Sequence, residues 1–215
     1  MEFRRRWMVP VLGIAVMTMT GLGVAQDNSS ANGNQSQASG KSSQQAENGS
    51  KLSAKDKLFM KKAAEGGLEE VELGQMVQQK AKSQDVKDFA KRMVDDHTKA
   101  NDELKSLAEK EGYTLPTTMS PNGKSLKAKL EKLSGEQLDR SYMTHMVADH
   151  TKDVAEFRAE SKTGNDPDVK SWAGQTLSTL ESHLQEAKQV AAKEKKENNS
   201  NAKNSKSSGS TTAQQ

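Results

Sequence analysis

Four side chains of this sequence could hold a metal ion or share a proton, because each one interrupts a stripe of apolar residues. They are one carboxylate and three imidazoles: Glu70, His97, His150 and His183. This donor set suits a single transition-metal ion such as zinc, iron, manganese or copper. The same groups could instead form a metal-free hydrogen-bond network with Asn101 and Tyr142, and the sequence leaves both interpretations open.

Two of these histidines belong to a motif that the chain contains twice. Met93–Lys99 and Met146–Lys152 both read Met-Val-x-Asp-His-Thr-Lys, with an offset of 53 residues. In a helix, each copy places its His on the apolar stripe, where a polar ring needs a partner. A further histidine, His145, falls on the opposite side of its helix and is interpreted as a surface residue.

Four long helical patterns position these side chains, at residues 54–82, 84–111, 135–163 and 167–195. Ser53, Ser83 and Ser134 occupy N-cap positions, and Gly112 suits the left-handed position after a helix. The first two helices are joined tightly, as are the last two, so each pair must form an antiparallel hairpin. About twenty residues with a short helix from Pro121 separate the hairpins, as in ferritin-like bundles. We therefore predict an all-α, ferritin-like four-helix bundle.

The heights of the four candidate side chains predict that they meet. The midpoints of the four patterns lie near residues 68, 97, 149 and 181, and each candidate lies within about two residues, or ~3 Å of rise, of its own midpoint. A midpoint does not depend on chain direction, so all four groups should form one layer at the centre of the bundle. Gly66, Gly67 and Gly74 would let a neighbouring helix or a ligand approach the first helix closely.

Composition divides the 215 residues into four segments. Residues 1–25 resemble an export signal with three arginines, an apolar middle and a small-residue cleavage site. Residues 26–52 and 197–215 are polar low-complexity sequence, predicted to be a disordered linker and tail around a bundle domain at 53–196. An uncleaved anchor is the alternative to the signal peptide, and export by the twin-arginine route is an alternative to general secretion.

Charge and cysteine content exclude several classes of function. Cleavage after Ala25 removes three Arg and one Glu, which lowers the formal charge from +3 to +1. This balance gives no basic surface for nucleic acid or for an anionic membrane. We expect any membrane association to be peripheral. The absence of cysteine excludes disulfides, thiolate metal sites and a lipidated cysteine anchor.

Five stretches of the chain together resemble one bacterial family, domain of unknown function 4142, whose members are often labelled predicted outer membrane proteins. The stretches are Phe59-(x)7-Gly67-(x)2-Glu70-Val71-Glu72-Leu73-Gly74, Phe89-Ala90-(x)2-Met93-Val94-x-Asp96-His97, Leu138-Asp139-(x)2-Tyr142, Asp149-His150-(x)3-Val154-(x)2-Phe157 and Leu177-(x)2-Leu180-(x)2-His183-Leu184. The resemblance covers about residues 58–188. It implies a ferritin-like fold and location in the cell envelope, and it implies no reaction. Ser178 stands where the family often has proline.

These observations favour a binding protein over an enzyme. Di-iron bundles supply Glu-x-x-His motifs, but Val94, Val147 and Leu180 stand three residues before the three buried histidines. We expect an exported, periplasmic helical bundle, associated with the outer membrane or free, that binds one transition-metal ion or an envelope protein partner. A metal-free structural module and a mononuclear-metal redox enzyme are the alternatives.

Overall fold

Five helices make up nearly all of the chain that the structure describes, which is residues 51–208, with side chains to residue 197. In this computed structural model they are α1 (Ala54–Lys80), α2 (Gln84–Lys110), α3 (Pro121–Leu130), α4 (Gly135–Thr163) and α5 (Pro167–Ser208). Residues 51–208 contain no strand, so the predicted all-α class is confirmed. Within the same range no helix has the length and apolar character to cross a membrane. The predicted signal peptide, the linker up to residue 50 and residues 209–215 lie outside the described residues.

Short-range signals account for most helix ends. The Ser53 hydroxyl accepts a hydrogen bond from the Asp56 N–H at 3.1 Å and so caps α1. Gly112 follows α2 with a φ of 63°, a conformation that glycine adopts without strain. Ser83 and Ser134 occupy the predicted N-cap positions, but neither hydroxyl accepts a hydrogen bond from its described helix. Their helices must therefore be fixed by tertiary contacts.

The folded segment is longer than predicted at both ends. Leu52, which the sequence assigned to the linker, is 5% exposed and packs in the core beside the start of α1. The last long helix was expected to end near residue 195, yet α5 continues to Ser208 through residues assigned to a disordered tail. No glycine or proline interrupts residues 175–208, and Gly209 follows directly, so no residue of this stretch forces the helix to end earlier.

The helices pack as two antiparallel hairpins, α1–α2 and α4–α5. α1 also packs on α4 and α2 also packs on α5, so the four long helices form the corners of one bundle. The segment between α2 and α4 carries α3, which contacts α1 and α4. This arrangement confirms the predicted ferritin-like plan of two hairpins joined by one crossover.

Two buried carboxylates connect the hairpins, because each one accepts hydrogen bonds from the turn of the opposite hairpin. Asp56 of α1 accepts hydrogen bonds from the Asn165 and Asp166 N–H groups, at 2.9 and 3.1 Å, in the turn between α4 and α5. Asp139 of α4 accepts from the N–H groups of Lys82 and Ser83, at 3.1 and 2.8 Å, in the turn between α1 and α2. Therefore α1 and α4 run antiparallel, and the crossover spans the length of the bundle.

The apolar core is divided into two clusters. One contains Phe89, Met93, Tyr142, Met143 and Met146 with neighbouring aliphatic residues. The other contains an aromatic group in which the Phe59 ring centroid lies 4.9 Å from that of Phe157 and 6.1 Å from that of Trp172. On every long helix the residues of the two clusters stand on opposite sides of one buried polar residue. The polar layer therefore lies between two apolar halves.

Candidate metal centre

The predicted layer is present, with one side chain from each long helix. Exposed fractions are 1% for Glu70 on α1, 7% for His97 on α2, 0% for His150 on α4 and 1% for His183 on α5. Phe89, from the apolar cluster that contains Tyr142 and Met146, packs on this polar layer, and its ring centroid lies 6.5 Å from that of His150. Four polar groups are thus enclosed at the centre of an otherwise apolar bundle.

The three imidazoles form a compact triangle. Ring centroids lie 5.7 Å apart for His97 and His150, and 5.4 Å apart for the two pairs that include His183. One nitrogen from each ring lies within 4.8 Å of the other two. We call His97, His150 and His183 the histidine triad. Together they present three nitrogen donors to one small volume.

The protonation of His150 follows from its backbone contact. Its Nδ1 lies 3.1 Å from the Met146 carbonyl oxygen, one helical turn earlier. A carbonyl only accepts hydrogen bonds, so Nδ1 carries the hydrogen and Nε2 keeps its lone pair. That Nε2 atom is buried and has no hydrogen-bond partner among the described residues.

His183 is oriented by a carboxylate. Its Nε2 lies 2.8 Å from Asp96 Oδ2, and the same oxygen lies 3.3 Å from Nε of Arg92. Burial alone would raise the pKa of Asp96, but the contacts with His183 and Arg92 lower it, so the group is a carboxylate at neutral pH. His183 therefore donates from Nε2 and keeps the lone pair on Nδ1, which has no protein partner within the described range.

The triad is uncharged in the absence of a cation. Burial lowers the pKa of His97 well below its ordinary value, and the two neighbouring rings lower it further. Burial also lowers the pKa of His150, to about 4, and that of His183, where it outweighs the opposing effect of Asp96. Neutral imidazole is the form that binds metal ions, so no proton has to be displaced at pH 7.

Glu70 belongs to the layer but not to the triad. Its Oε1 lies 3.9 Å from His150 Nδ1, the nitrogen already used by the Met146 carbonyl. Burial first, and then the charges of Asp149 and Asp153, raise the pKa of Glu70 well above its usual range. No donor among the described residues reaches either oxygen, and the protonated acid can donate to Asp149. The structure thus brings three of the four predicted ligands together and leaves the carboxyl beside them.

A family model described as a domain of unknown function, DUF4142, matches residues 41–190 of the chain. The chain belongs to the DUF4142 family. This match confirms the resemblance inferred from the five sequence stretches. No curated protein matches the chain in sequence.

Two solved structures resemble this DUF4142 bundle at low sequence identity. A DUF305 fragment from Deinococcus radiodurans has 15% identity and a TM-score of 0.59, and the match covers 66% of this chain and 98% of the fragment. A DUF305 protein from Streptomyces coelicolor, described as a suspected secreted protein, has 16% identity and a TM-score of 0.55, with coverage of 65% and 93%. At this identity the likeness shows a shared fold alone.

Sequence reasoning missed two carboxylates that support the layer in this DUF4142 domain. Asp96 and Asp149 each precede a triad histidine, and each acts on the neighbouring helix: Asp96 on His183 of α5, and Asp149 on Glu70 of α1. The signal was present, because the repeated motif contains Asp-His in both copies. An aspartate off the apolar stripe gave no indication of which helix it would face.

The interpretation of His145 was wrong. It lies on α4, but its side chain is only 23% exposed, and Nε2 lies 3.1 Å from Glu69 Oε1 on α1. This pair bridges two helices next to the layer. Because His145 contacts Glu69 and is not one of the three triad histidines, it is a suitable control position when those histidines are mutated.

The proposed metal-free network does not close through direct protein contacts. Tyr142 OH and one nitrogen of each triad histidine lack hydrogen-bond partners in the described part of the chain, and Glu70 has only Asp149 as an acceptor for its proton. Asn101 instead packs on α1, where a Cβ at Gly67 would meet its Oδ1 at 2.0 Å. Gly67 therefore serves a close helix approach, as predicted. Unpaired buried nitrogens are costly, and a bound cation would give all three of them a partner.

Proposed function

We propose that this DUF4142 domain binds one transition-metal ion through His97, His150 and His183. The observation that carries the proposal is the set of three unpaired, buried nitrogens, with one nitrogen per ring inside a common 4.8 Å limit. Ligand nitrogens on one tetrahedral ion lie ~3.4 Å apart, given metal–nitrogen bonds of ~2.1 Å. Small rotations of the imidazole rings, which move each nitrogen by about an ångström, therefore bring all three nitrogens within bonding distance of one ion.

The surrounding contacts support this proposal. Metal-binding histidines usually donate the second ring N–H to a carboxylate or a backbone carbonyl, which fixes the tautomer. His183 donates to Asp96 and His150 donates to the Met146 carbonyl, so two of the three rings already have this arrangement. Three imidazoles suit zinc, copper or iron better than magnesium or calcium. Manganese fits less well if Glu70 stays outside the ligand set.

Metal analysis of untagged protein tests the proposal. We expect one ion per chain in the wild type, and less than a tenth of that amount in His97→Ala and His150→Ala, because two imidazoles cannot close the site. His145→Ala is the matched control, since it removes a histidine on α4 that contacts Glu69 rather than the triad. Equal metal content in all four proteins would reject the site.

A mononuclear-metal enzyme is the second candidate. Three protein ligands leave a fourth position for water or substrate, as in catalytic metal sites. A cavity that includes His97 among its lining residues would provide access to that position.

We also propose that the protein is exported to the periplasm, free or peripherally associated with the outer membrane. The predicted signal peptide at residues 1–25 supports this, together with the description of the S. coelicolor relative as a suspected secreted protein. Amino-terminal sequencing of protein from the envelope fraction tests export. We expect the chain to begin at Gln26, and an intact Met1 would contradict signal cleavage. An envelope protein partner stays a prediction.

A further inference from the structure

A cleft between α1 and α4 connects the surface of the bundle with the histidine triad. Its cavity has a volume of about 160 Å³. The exposed residues Lys62 and Lys152 line it, and so do the buried residues His97 and Leu180. Gly66 contributes open space, because a Cβ at this position would meet no atom within 4 Å. The cleft therefore gives the otherwise enclosed layer a side from which a small ion can approach.

Acidic side chains dominate the charge of this cleft. Its lining carries five carboxylates, Glu65, Glu69, Asp149, Asp153 and Glu156, against the two lysines, for a formal balance of −3. Two of the five pair with lysines, Glu156 with Lys62 at 3.1 Å and Glu65 with Lys61 at 3.8 Å. Glu69 lies 3.1 Å from Nε2 of His145. Asp149 and Asp153 lie on successive turns of α4.

The inner end of the cleft carries an independent sign of a ligand. His97 is 7% exposed and lines the cavity, and its Nε2 atom has no hydrogen-bond partner within the described chain. A row of carboxylates on a surface would by itself indicate only solvation. Here the row ends at an unpaired nitrogen donor of the triad.

We propose that this acidic cleft collects a hydrated divalent cation from solution and delivers it to the triad. The proposal rests on metal binding by the triad and adds the route and the charge class of the ligand. Clefts lined by one sign of charge concentrate counter-ions and raise association rates by about 10–10³-fold. The cleft volume of about 160 Å³ is large enough for an ion that keeps part of its hydration shell, since one water molecule needs ~10–15 Å³ of cavity volume.

Association kinetics with Co²⁺ test the route, because the ion's visible absorption changes when water ligands are replaced by imidazoles. The measurement uses full-length metal-free protein at pH 8, where Asp153, whose pKa burial raises to about 7, is ionised. We expect the double variant Asp153→Asn, Glu156→Gln to bind Co²⁺ about tenfold more slowly at low ionic strength. Salt should reduce this difference, and the stoichiometry should stay at one.

The control variant carries Glu103→Gln and Glu109→Gln, two exposed carboxylates on α2 that change the net charge equally. We expect it to bind at the wild-type rate. Equal rates for the cleft variant and this control would overturn the proposed route while leaving metal binding intact. Absence of any Co²⁺ binding by the wild type would instead overturn both proposals.

A steric variant tests the route without changing charge. Gly66→Leu should narrow the cleft that Gly66 and His97 both line and slow Co²⁺ association by tenfold or more, whereas Gly66→Ala adds one methyl group in open space and should not. Circular dichroism of both variants verifies the helical fold. A wild-type association rate in folded Gly66→Leu would show that the ion arrives elsewhere and would overturn the cleft.

Discussion

At the scale of single residues, the least expected contact of the layer is the one that holds His183. The Asp96 carboxylate accepts from Nε2 at 2.8 Å and is itself held by Arg92. An imidazole ring without this contact could rotate about its side-chain bonds and present either nitrogen to the triad. The carboxylate selects one tautomer and one orientation, so the lone pair on Nδ1 is available before any ion arrives.

Asp96→Ala should therefore weaken metal binding without removing a ligand. We expect the dissociation constant to rise by about 10–100-fold, while a saturated sample still contains one ion per chain. Titration against a chelating competitor measures the affinity. Asp95→Ala is the control, because Asp95 is an exposed neighbour that pairs with Lys91 on the same helix. The orienting role would be refuted by equal affinities in the two variants.

At the scale of helices, two carboxylates hold the hairpins in register. Asp139 of α4 fixes the turn before α2, because it accepts from the N–H groups of Lys82 and Ser83, whereas the Ser83 side chain does not cap α2. Asp56 does the equivalent for the turn that precedes α5. Register matters for the layer, since a shift of one helical turn, ~5.4 Å, would separate the triad.

Asp139→Ala should lower the free energy of unfolding by about 2–4 kcal/mol, because two backbone N–H groups lose their acceptor and the contact between α4 and the turn before α2 is lost. Denaturant unfolding of metal-free protein measures the change. Gln137→Ala serves as control on the same helix, where an exposed side chain should alter stability by no more than ~0.5 kcal/mol. A loss below 1 kcal/mol for Asp139→Ala would show that the turn is held by other contacts.

At the scale of the whole molecule, the position of the layer could be predicted from sequence, whereas its supporting contacts could not. Helix periodicity identifies buried residues, and the midpoint of a helix is the same in either chain direction, so Glu70 and the triad could be assigned a common height. The contacts of Asp96, Asp139 and His145 cross between helices. They depend on packing angles that periodicity does not contain.

The ends of the folded segment show the same limit. Polar composition at residues 197–208 predicted a disordered tail, whereas α5 continues to Ser208, and no glycine or proline in that stretch forces an earlier end. Leu52 was assigned to the linker because its neighbours are polar, although a single apolar side chain beside a helix start can pack into the core. Average composition describes a segment and does not determine the position of one residue.

The acidic cleft should cost the metal-free molecule stability, which a pH series can measure. Burial, followed by the charge of Asp149, raises the pKa of Asp153 to about 7. The folded state thus binds more protons than the unfolded chain between about pH 4 and pH 7, and this group's contribution to stability falls as the pH rises through that window.

Asp153→Asn removes this contribution. The variant should match the wild type below about pH 4, where the acid is protonated in the folded protein and in much of the unfolded chain, and exceed it at pH 8 by about 1–2 kcal/mol once partial solvent screening is allowed for. Asp102→Asn, at an exposed position on α2, is the control and should leave the free energy of unfolding unchanged at both pH values.

Chemical unfolding of the metal-free proteins at the two pH values measures these free energies. A wild type as stable as Asp153→Asn at pH 8 would mean that the cleft carries no electrostatic strain. A variant that is more stable than the wild type but binds Co²⁺ more slowly would show that these carboxylates speed ion binding and lower the free energy of unfolding.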